Sequence, residues 1–195
     1  PIRTLVVTSS GPVEGKTTTA ANLAIALAQA GKRVILADTD LRRPTLHKLF
    51  NVPNRLGVST ALLQENIAAV DDQLVATGVE NLSLLPSGPL PPNPADLLQS
   101  PRMEMLIREL KTLADVVVFD SPPVLAVADA TLLARLCDGV LLVVLSDSTR
   151  TGVLQQAYER LHQSGATLMG TVLNRVDASK NGYYKNYYYY SSTIE

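Results

Sequence analysis

Residues 8–18 read Thr8-Ser9-Ser10-Gly11-Pro12-Val13-Glu14-Gly15-Lys16-Thr17-Thr18, preceded by the apolar run Leu5-Val6-Val7 and followed at once by Ala- and Leu-rich sequence ending at Gly31. The apolar run predicts a strand near Thr4 to Thr8, and the sequence beyond the loop predicts a helix over Thr17 to Ala30. A loop so placed exposes backbone N–H groups at a helix N-terminus, where phosphate oxygens accept them and the helix dipole favours negative charge. Lys16 would then reach the β and γ phosphates of a nucleotide, and the Thr17 hydroxyl would ligate Mg²⁺. Ser10 stands where the strict G-x-x-x-x-G-K-[ST] pattern has its first glycine, so the placement between strand and helix carries the reading rather than the string.

Outward from this loop, β-branched runs alternate with helical patterns. Strands are predicted near Arg33 to Ala37, Leu82 to Leu85, Val116 to Phe119, Val140 to Leu145 and Thr167 to Leu173. Most are continuously apolar, as strands covered on both faces require, so the fold class is α/β: a doubly wound, mainly parallel sheet with helices on both faces, the P-loop NTPase fold. Ser100 and Pro101 form an N-cap and first-turn pair opening Met103 to Leu113, and Thr149 is placed to cap Val153 to Gln163 before Gly165. Residues 87–94 hold four prolines and one glycine and predict a stiff surface loop.

The chain has 195 residues, 46% of them hydrophobic, and a formal net charge of -1, which suits one globular domain with a substantial core. Basic residues number 17 against 18 acidic ones, so there is no electrostatic footprint for nucleic acid. Cys137 is the single cysteine; it reads as a small buried hydrophobe, excludes an internal disulfide and fits a reducing, cytoplasmic setting. Apolar runs such as Val140 to Leu145 are strand-sized and fall short of the ~20 residues a membrane helix needs. Opening at Pro1 and passing directly into a strand, the sequence reads as a piece cut at a domain boundary. Two regions are expected: a catalytic domain over 1–177 and a flexible tail over 178–195.

Two carboxylate groups fall where a phosphate site needs them. Asp38 and Asp40 end the second strand, and Asp120 ends Val116-Val117-Val118-Phe119. Such strand ends face the ligand crevice of an open α/β sheet. Asp120 reads as the acid that holds Mg²⁺ through water, while Asp38 and Asp40 are candidates for metal binding or for taking the proton of an attacking hydroxyl. At the far end, Tyr183, Tyr184, Tyr187, Tyr188, Tyr189 and Tyr190 cluster with neither strand alternation nor a helical stripe, a pattern suited to a substrate rather than a core.

Taken together these motifs resemble the bacterial tyrosine kinases, cytoplasmic P-loop enzymes, over nearly the whole length. The resemblance makes residues 10–18 the Walker A loop, with Ser10, Gly11, Pro12, Val13, Glu14, Gly15, Lys16, Thr17 and Thr18 around the nucleotide phosphates. Asp38-Thr39-Asp40-Leu41-Arg42-Arg43-Pro44 is similar to the family's extra Walker A′ motif, and Phe119-Asp120-Ser121-Pro122-Pro123 to Walker B. Leu85-Pro86-Ser87-Gly88, Asn93-Pro94 and the tyrosine cluster complete it. Asn174, in Gly170-Thr171-Val172-Leu173-Asn174-Arg175, resembles the position whose amide reads adenine, with Arg175 beside it; a strand-end turn is the plainer account of the same Asn.

The resemblance implies ATP and Mg²⁺ as cofactors, with Thr17, Asp38 and Asp120 at the metal and Lys16, Asp38, Asp40 and Asp120 in catalysis. It also implies autophosphorylation of the tyrosine cluster between neighbouring subunits, an activating membrane domain or protein, a place at the inner face of the cell membrane, and control of capsule or exopolysaccharide synthesis and export. The partition and septum-placing ATPases of the same superfamily are the competing assignment, but they usually carry a second lysine five residues before the P-loop lysine, where Gly11 stands here. Val13 replaces a glycine common in the family's loop. The Glu-x-x-Arg-x-x-Arg helix that drives ring assembly belongs upstream of the first strand and is not among these residues, which leaves a ring-like homo-oligomer open. From Asn174 to Tyr187 are 13 residues, enough extended chain to span ~43 Å.

Other polar residues carry less. His47 and His162 have no metal-ligand partners nearby in sequence. Arg42 and Arg43 suit phosphates or a solvated helix start, Asp129 a role near the site or a helix cap, and Arg150 sits just after the fifth strand, where loops of the resembled superfamily approach the base. Tyr158 lies in an amphipathic stretch and is expected to pack.

Overall fold

In the computed structural model, which describes residues 2–177, Thr4–Ser9 forms strand β1 and is buried at every position. Five further strands lie where the apolar runs predict them: β2 (Val34–Asp38), β4 (Leu82–Leu85), β5 (Val116–Asp120), β6 (Gly139–Leu145) and β7 (Leu168–Asn174). A two-residue strand, β3 (Val75–Ala76), gives too short an alternation to be read from sequence and pairs antiparallel with β4. The seven-stranded sheet runs β3-β4-β2-β5-β1-β6-β7, and every pair apart from β3 with β4 is parallel. Of the two predicted regions, the tail over 178–195, with all six clustered tyrosines, lies outside the described residues.

Each face of the sheet is covered differently. Helix α1 (Lys16–Gln29) lays Ala20, Ala21, Ala24 and Ala28 against Val7, Leu36, Val118 and Val143. Four methyl groups along one stripe let the helix axis lie near the strands, since interaxial distance is set by the side chains at the contact. The opposite face packs under α5 (Pro101–Leu113), whose Met103, Leu106, Ile107 and Leu110 recur at i, i+3, i+4 and i+7 and meet Ile35, Val117 and Phe119. Helices α6 (Asp129–Ala134) and α7 (Thr151–Gln163) continue that layer through Leu133 and Leu161. Short elements α2 (Leu46–Leu49), α3 (Val58–Leu63), a 3₁₀ segment at Ile67–Gln73 and α4 (Pro94–Gln99) fill the long β2-to-β5 excursion.

Several local expectations are corrected. The proline-rich stretch is not wholly a surface loop: Ser87 is fully buried, Gly57 bridges to it, and Pro94 opens α4. Ser100 stands at the N-cap of α5, but its hydroxyl donates to the Leu97 carbonyl of the helix before. Thr149 does not cap α7, which begins after Arg150. Tyr158 is 47% exposed and stacks on the His162 ring at 5.9 Å between centroids. Cys137 packs against the core, and burial pushes its thiol up to about 12. Among the described residues no helix is long and apolar enough to cross a membrane.

Topology sets the position of the acids. In the β2–β5 register Asp38 lies opposite Asp120, and in the β1–β5 register Val7 lies opposite Asp120, so both strand-end acids sit beside the loop leaving β1. Phe119, the residue before Asp120, is fully buried in the α5 face. Phe119→Ala is expected to lower stability by about 3–5 kcal/mol, because the lost transfer energy is joined by a cavity the rigid sheet cannot close; urea unfolding checks it.

Candidate nucleotide and catalytic site

The P-loop lysine reaches across the sheet edge to the acids. Lys16 Nζ lies 3.2 Å from Asp40 Oδ2 and 3.4 Å from Asp120 Oδ1, and donates to the Thr17 hydroxyl at 3.1 Å. Thr17 in turn donates to Asp120 Oδ2 at 2.7 Å. Burial opposes the Lys16 charge, yet Asp120 and Asp40 outweigh it and hold its pKa above the ordinary value. Burial raises Asp120 to about 6, with the Lys16 charge and the Thr17 hydroxyl pulling the other way.

Asp38 is fully buried. Its Oδ2 accepts from Thr45 N at 3.1 Å and Leu46 N at 3.0 Å, backbone donors at the start of α2 that have no partner within the helix, while Oδ1 takes a longer bond of 3.3 Å from Asp40 N. Burial first, and then the Asp120 charge, raise Asp38 to about 7. Asp40 Oδ1 accepts from Arg43 N at 3.0 Å, and the Thr39 hydroxyl donates to the Asp120 carbonyl at 2.6 Å. The Asp38-Thr39-Asp40 segment is therefore tied to α2, to the loop behind it and to β5.

The loop itself is braced from inside. The Glu14 carboxylate accepts from Gly11 N at 2.9 Å, from the Ser10 hydroxyl at 2.9 Å and from the Thr149 hydroxyl. Ser10 and Glu14 thus turn their side chains into the protein, and only their backbone can serve a phosphate. The Asn174 amide nitrogen donates to the Glu14 carbonyl at 3.0 Å, so it supports the loop rather than standing free for a base. A Cβ on Gly15, whose φ is +92°, would fall 2.0 Å from that amide, which is why glycine is required there. Val13, with φ +65°, is a β-branched residue in left-handed space where the family's glycine would be relaxed. It is 77% exposed, and Pro12 and Thr18 are exposed beside it; Arg175 follows β7, also with a positive φ of 55°.

Sequence reasoning missed two partnerships. Arg42 donates through Nε to Asp129 Oδ2 at 2.8 Å and through NH2 to Oδ1 at 3.0 Å, a two-pronged pair that fastens the segment after Asp40 to the start of α6. Thr149 reaches Glu14 from the β6–α7 loop. These partners lie 87 and 135 positions apart, beyond any local pattern; only parallel strand order brings them together. Asp129 therefore anchors Arg42 rather than the phosphate site, and Arg150 stands at the N-cap of α7, exposed.

A glycine-containing loop running into a helix beside two acid-ended parallel strands defines a P-loop nucleotide-binding domain, and the family model described as an AAA domain matches residues 5–167. Tyrosine-protein kinase YwqD of Bacillus subtilis (strain 168) is 41% identical over 186 residues, 95% of this chain and 78% of that one. The solved kinase domain of Escherichia coli tyrosine kinase ETK superposes with a TM-score of 0.82 at 31% identity, over 90% of this chain and 69% of that one. The chain belongs to the bacterial tyrosine-protein kinase family. Similarity to the cell division ATPase MinD of Pyrococcus furiosus is lower, with a TM-score of 0.75 and 25% identity over 91% of this chain and 75% of that one.

Among the described residues no group of three or more His, Cys, Asp or Glu side chains forms a metal cage. The Thr17 hydroxyl and the Asp120 carboxylate, 2.7 Å apart, are hard oxygen donors that fit Mg²⁺ held largely by phosphate and water. Asp38 fits less well as a direct ligand, because both its oxygens already accept backbone N–H groups.

The raised Asp38 pKa makes a stability prediction. From its unfolded value of 3.8 to about 7 the folded chain keeps a proton that the unfolded chain has released. That contribution is complete below pH ~4 and is lost as pH rises through 7. In metal-free buffer without nucleotide, unfolding curves between pH 5 and 8 should show stability declining with pH, more steeply than in Asp38→Asn; equal slopes would contradict the assignment.

Proposed function

We propose that the chain transfers the γ-phosphoryl group of ATP to tyrosine hydroxyls, with its own 183–190 cluster as acceptor, mainly between neighbouring subunits. The observation that carries this reading is the Lys16–Asp40–Asp120 contact at the end of the P-loop, in a chain of the tyrosine-kinase family. The phosphates lie along the backbone from Gly11 to Gly15 and on to Thr17 and Thr18, at the α1 N-terminus. Lys16 exchanges its contact with Asp40 for the β and γ oxygens, and offsets charge on the transferring group. Mg²⁺, held at Thr17 and, through water, at Asp120, would supply further neutralisation and orient the phosphates. At the other end Asn174 offers its Oδ1 to the adenine amine while its nitrogen stays on Glu14, with Arg175 alongside.

Asp38 serves as the proton acceptor. Its pKa of about 7 suits transfer from a phenol at neutral pH, and Oδ1 is the less engaged oxygen. The phenol oxygen forms the new bond to phosphorus, its proton passes to Asp38, and the bond from phosphorus to the ADP oxygen breaks. Asp40 keeps the segment and Lys16 in register. The reading extends, on family membership, to activation by a membrane domain or protein, to work at the inner face of the cell membrane, to a ring-like assembly, and to control of capsule or exopolysaccharide export. The domain division at 177 goes with it. Partition-type ATPase action is the alternative; the lower similarity to MinD and Gly11 in the second-lysine place weigh against it.

Intact mass before and after incubation with Mg-ATP tests the transfer. Steps of ~80 Da are expected in the unaltered chain and none in Lys16→Met or in the chain with all six tail tyrosines changed to Phe. Phosphate release without any mass step would instead support the ATPase. For the base, Asp38→Asn should slow transfer about 10²- to 10⁴-fold and remove the rise of rate through pH 7. If Asp40→Asn removes that limb and Asp38→Asn keeps it, Asp40 is the acceptor.

A further inference from the structure

Behind the Asp38–Asp40 segment runs an open groove of about 520 Å³, with Arg43, His47 and Lys48 on one side and Asn54 and the Gly88-Pro89-Leu90 turn on the other. Both walls are built rather than loose. One hangs on the catalytic acids themselves, since Asp40 accepts from Arg43 N and Asp38 from Thr45 N and Leu46 N. The other is fixed by Asn54, which donates to the Gly88 carbonyl at 3.1 Å and accepts from Gly88 N at 2.9 Å. Gly88 has φ +74°, and a Cβ there would meet Ser59 Oγ at 2.5 Å.

Charge in the groove is unbalanced. Arg42 is neutralised by Asp129, whereas Arg43 and Lys48 are exposed and, among the described residues, have no carboxylate within ion-pair distance. His47 adds little charge, because burial and the Lys48 ammonium lower its pKa. Two free cations therefore face an exposed apolar turn, Leu90 being 61% exposed. A ligand matching that combination carries a compact dianion on a flat apolar body. Arg and Lys bond phosphate through charge-assisted hydrogen bonds, and a phosphorylated side chain brings about -1.5 to -2 charges.

We propose that this groove binds phosphotyrosine, holding a tyrosine already modified so that a neighbouring one enters the Lys16–Asp40 site. The proposal rests on the tyrosine-kinase reading above. The groove and the site share Asp40: one of its oxygens accepts from Arg43 N and the other lies 3.2 Å from Lys16 Nζ. Adjacent tyrosines in the cluster, such as Tyr187 to Tyr190, follow one another at about 3.3–3.6 Å per residue of extended chain. Later phosphates in the cluster then add faster than the first.

Binding without nucleotide tests this apart from catalysis. The 195-residue chain with its six tail tyrosines changed to Phe would be titrated into labelled peptides covering 181–192, unmodified, phosphorylated at Tyr188, or carrying Tyr188→Glu. Fluorescence anisotropy should show the phosphopeptide binding at least about tenfold tighter than the other two, and the Arg43→Ala/Lys48→Ala pair should reduce that preference to within about twofold. Lys48→Glu, a single exposed change, should weaken it in the same direction. Equal binding of the Glu peptide, displacement by an equal concentration of inorganic phosphate, or a preference that survives the double variant would each overturn the groove. So would loss, in the double variant, of binding to phosphatidylserine vesicles with phosphopeptide binding intact. Failure of the mass-step experiment alone would leave these outcomes readable, because no transfer is needed.

Discussion

Among the described residues, Lys16 is the one ammonium set among three buried carboxylates, and the site is organised by that imbalance. Asp40 and Asp120 hold it at 3.2 and 3.4 Å, and Asp38 lies beside Asp120 in the strand register. The carboxylates outnumber the ammonium, and burial penalises the charged forms of Asp38 and Asp120. Part of the relief is protonation, with Asp38 near 7 and Asp120 near 6. A divalent cation of the kind proposed offsets the remainder, and phosphates then approach a lysine whose charge is kept by the same carboxylates. Phosphate affinity, metal affinity and proton uptake are in this way one electrostatic problem.

That arrangement depends on backbone held from several directions. Hydrogen bonds from the start of α2 fix Asp38, a bond from Arg43 fixes Asp40, and the Arg42–Asp129 pair fastens the segment after Asp40 to the start of α6. The pair joins a guanidinium that is 39% exposed to a carboxylate that is fully buried, so its value lies in positioning more than in net stability. On the other side of the site Glu14 draws the P-loop inward, and Thr149 and Asn174 bring the ends of β6 and β7 to it. The phosphate end and the expected base end of the nucleotide are thereby linked through one residue.

Legibility in the sequence followed the range of the interactions. Continuous apolar runs such as Val116 to Phe119 disclose a strand buried on both faces, and an Asp closing such a run discloses a crevice, because both signals are local. Elements held by distant partners left no such mark. Strand β3 is two residues long, α2 owes its first turn to Asp38, and Thr149 was legible as a helix cap although its hydroxyl serves Glu14 at 135 positions' distance. Ser10, Glu14 and Asn174 were placed at the nucleotide by motif. The structure turns the first two side chains inward, where they shape the loop, and commits only the third's nitrogen to it, so that the proposed base contact falls to the Asn174 oxygen.

Val13 shows how such bracing trades against strain. A valine at φ +65° costs about 1–2 kcal/mol relative to a residue at ease there, and it persists only where the surroundings determine the backbone. Here those surroundings are Glu14 on one side of the turn and Gly15 against Asn174 on the other. With the turn held at both ends, the exposed Val13 side chain projects outward and its own conformational preference is overridden. The loop is thus held in shape by the chain's own side chains, and bracing of this kind lowers the ordering cost that a phosphate would otherwise meet.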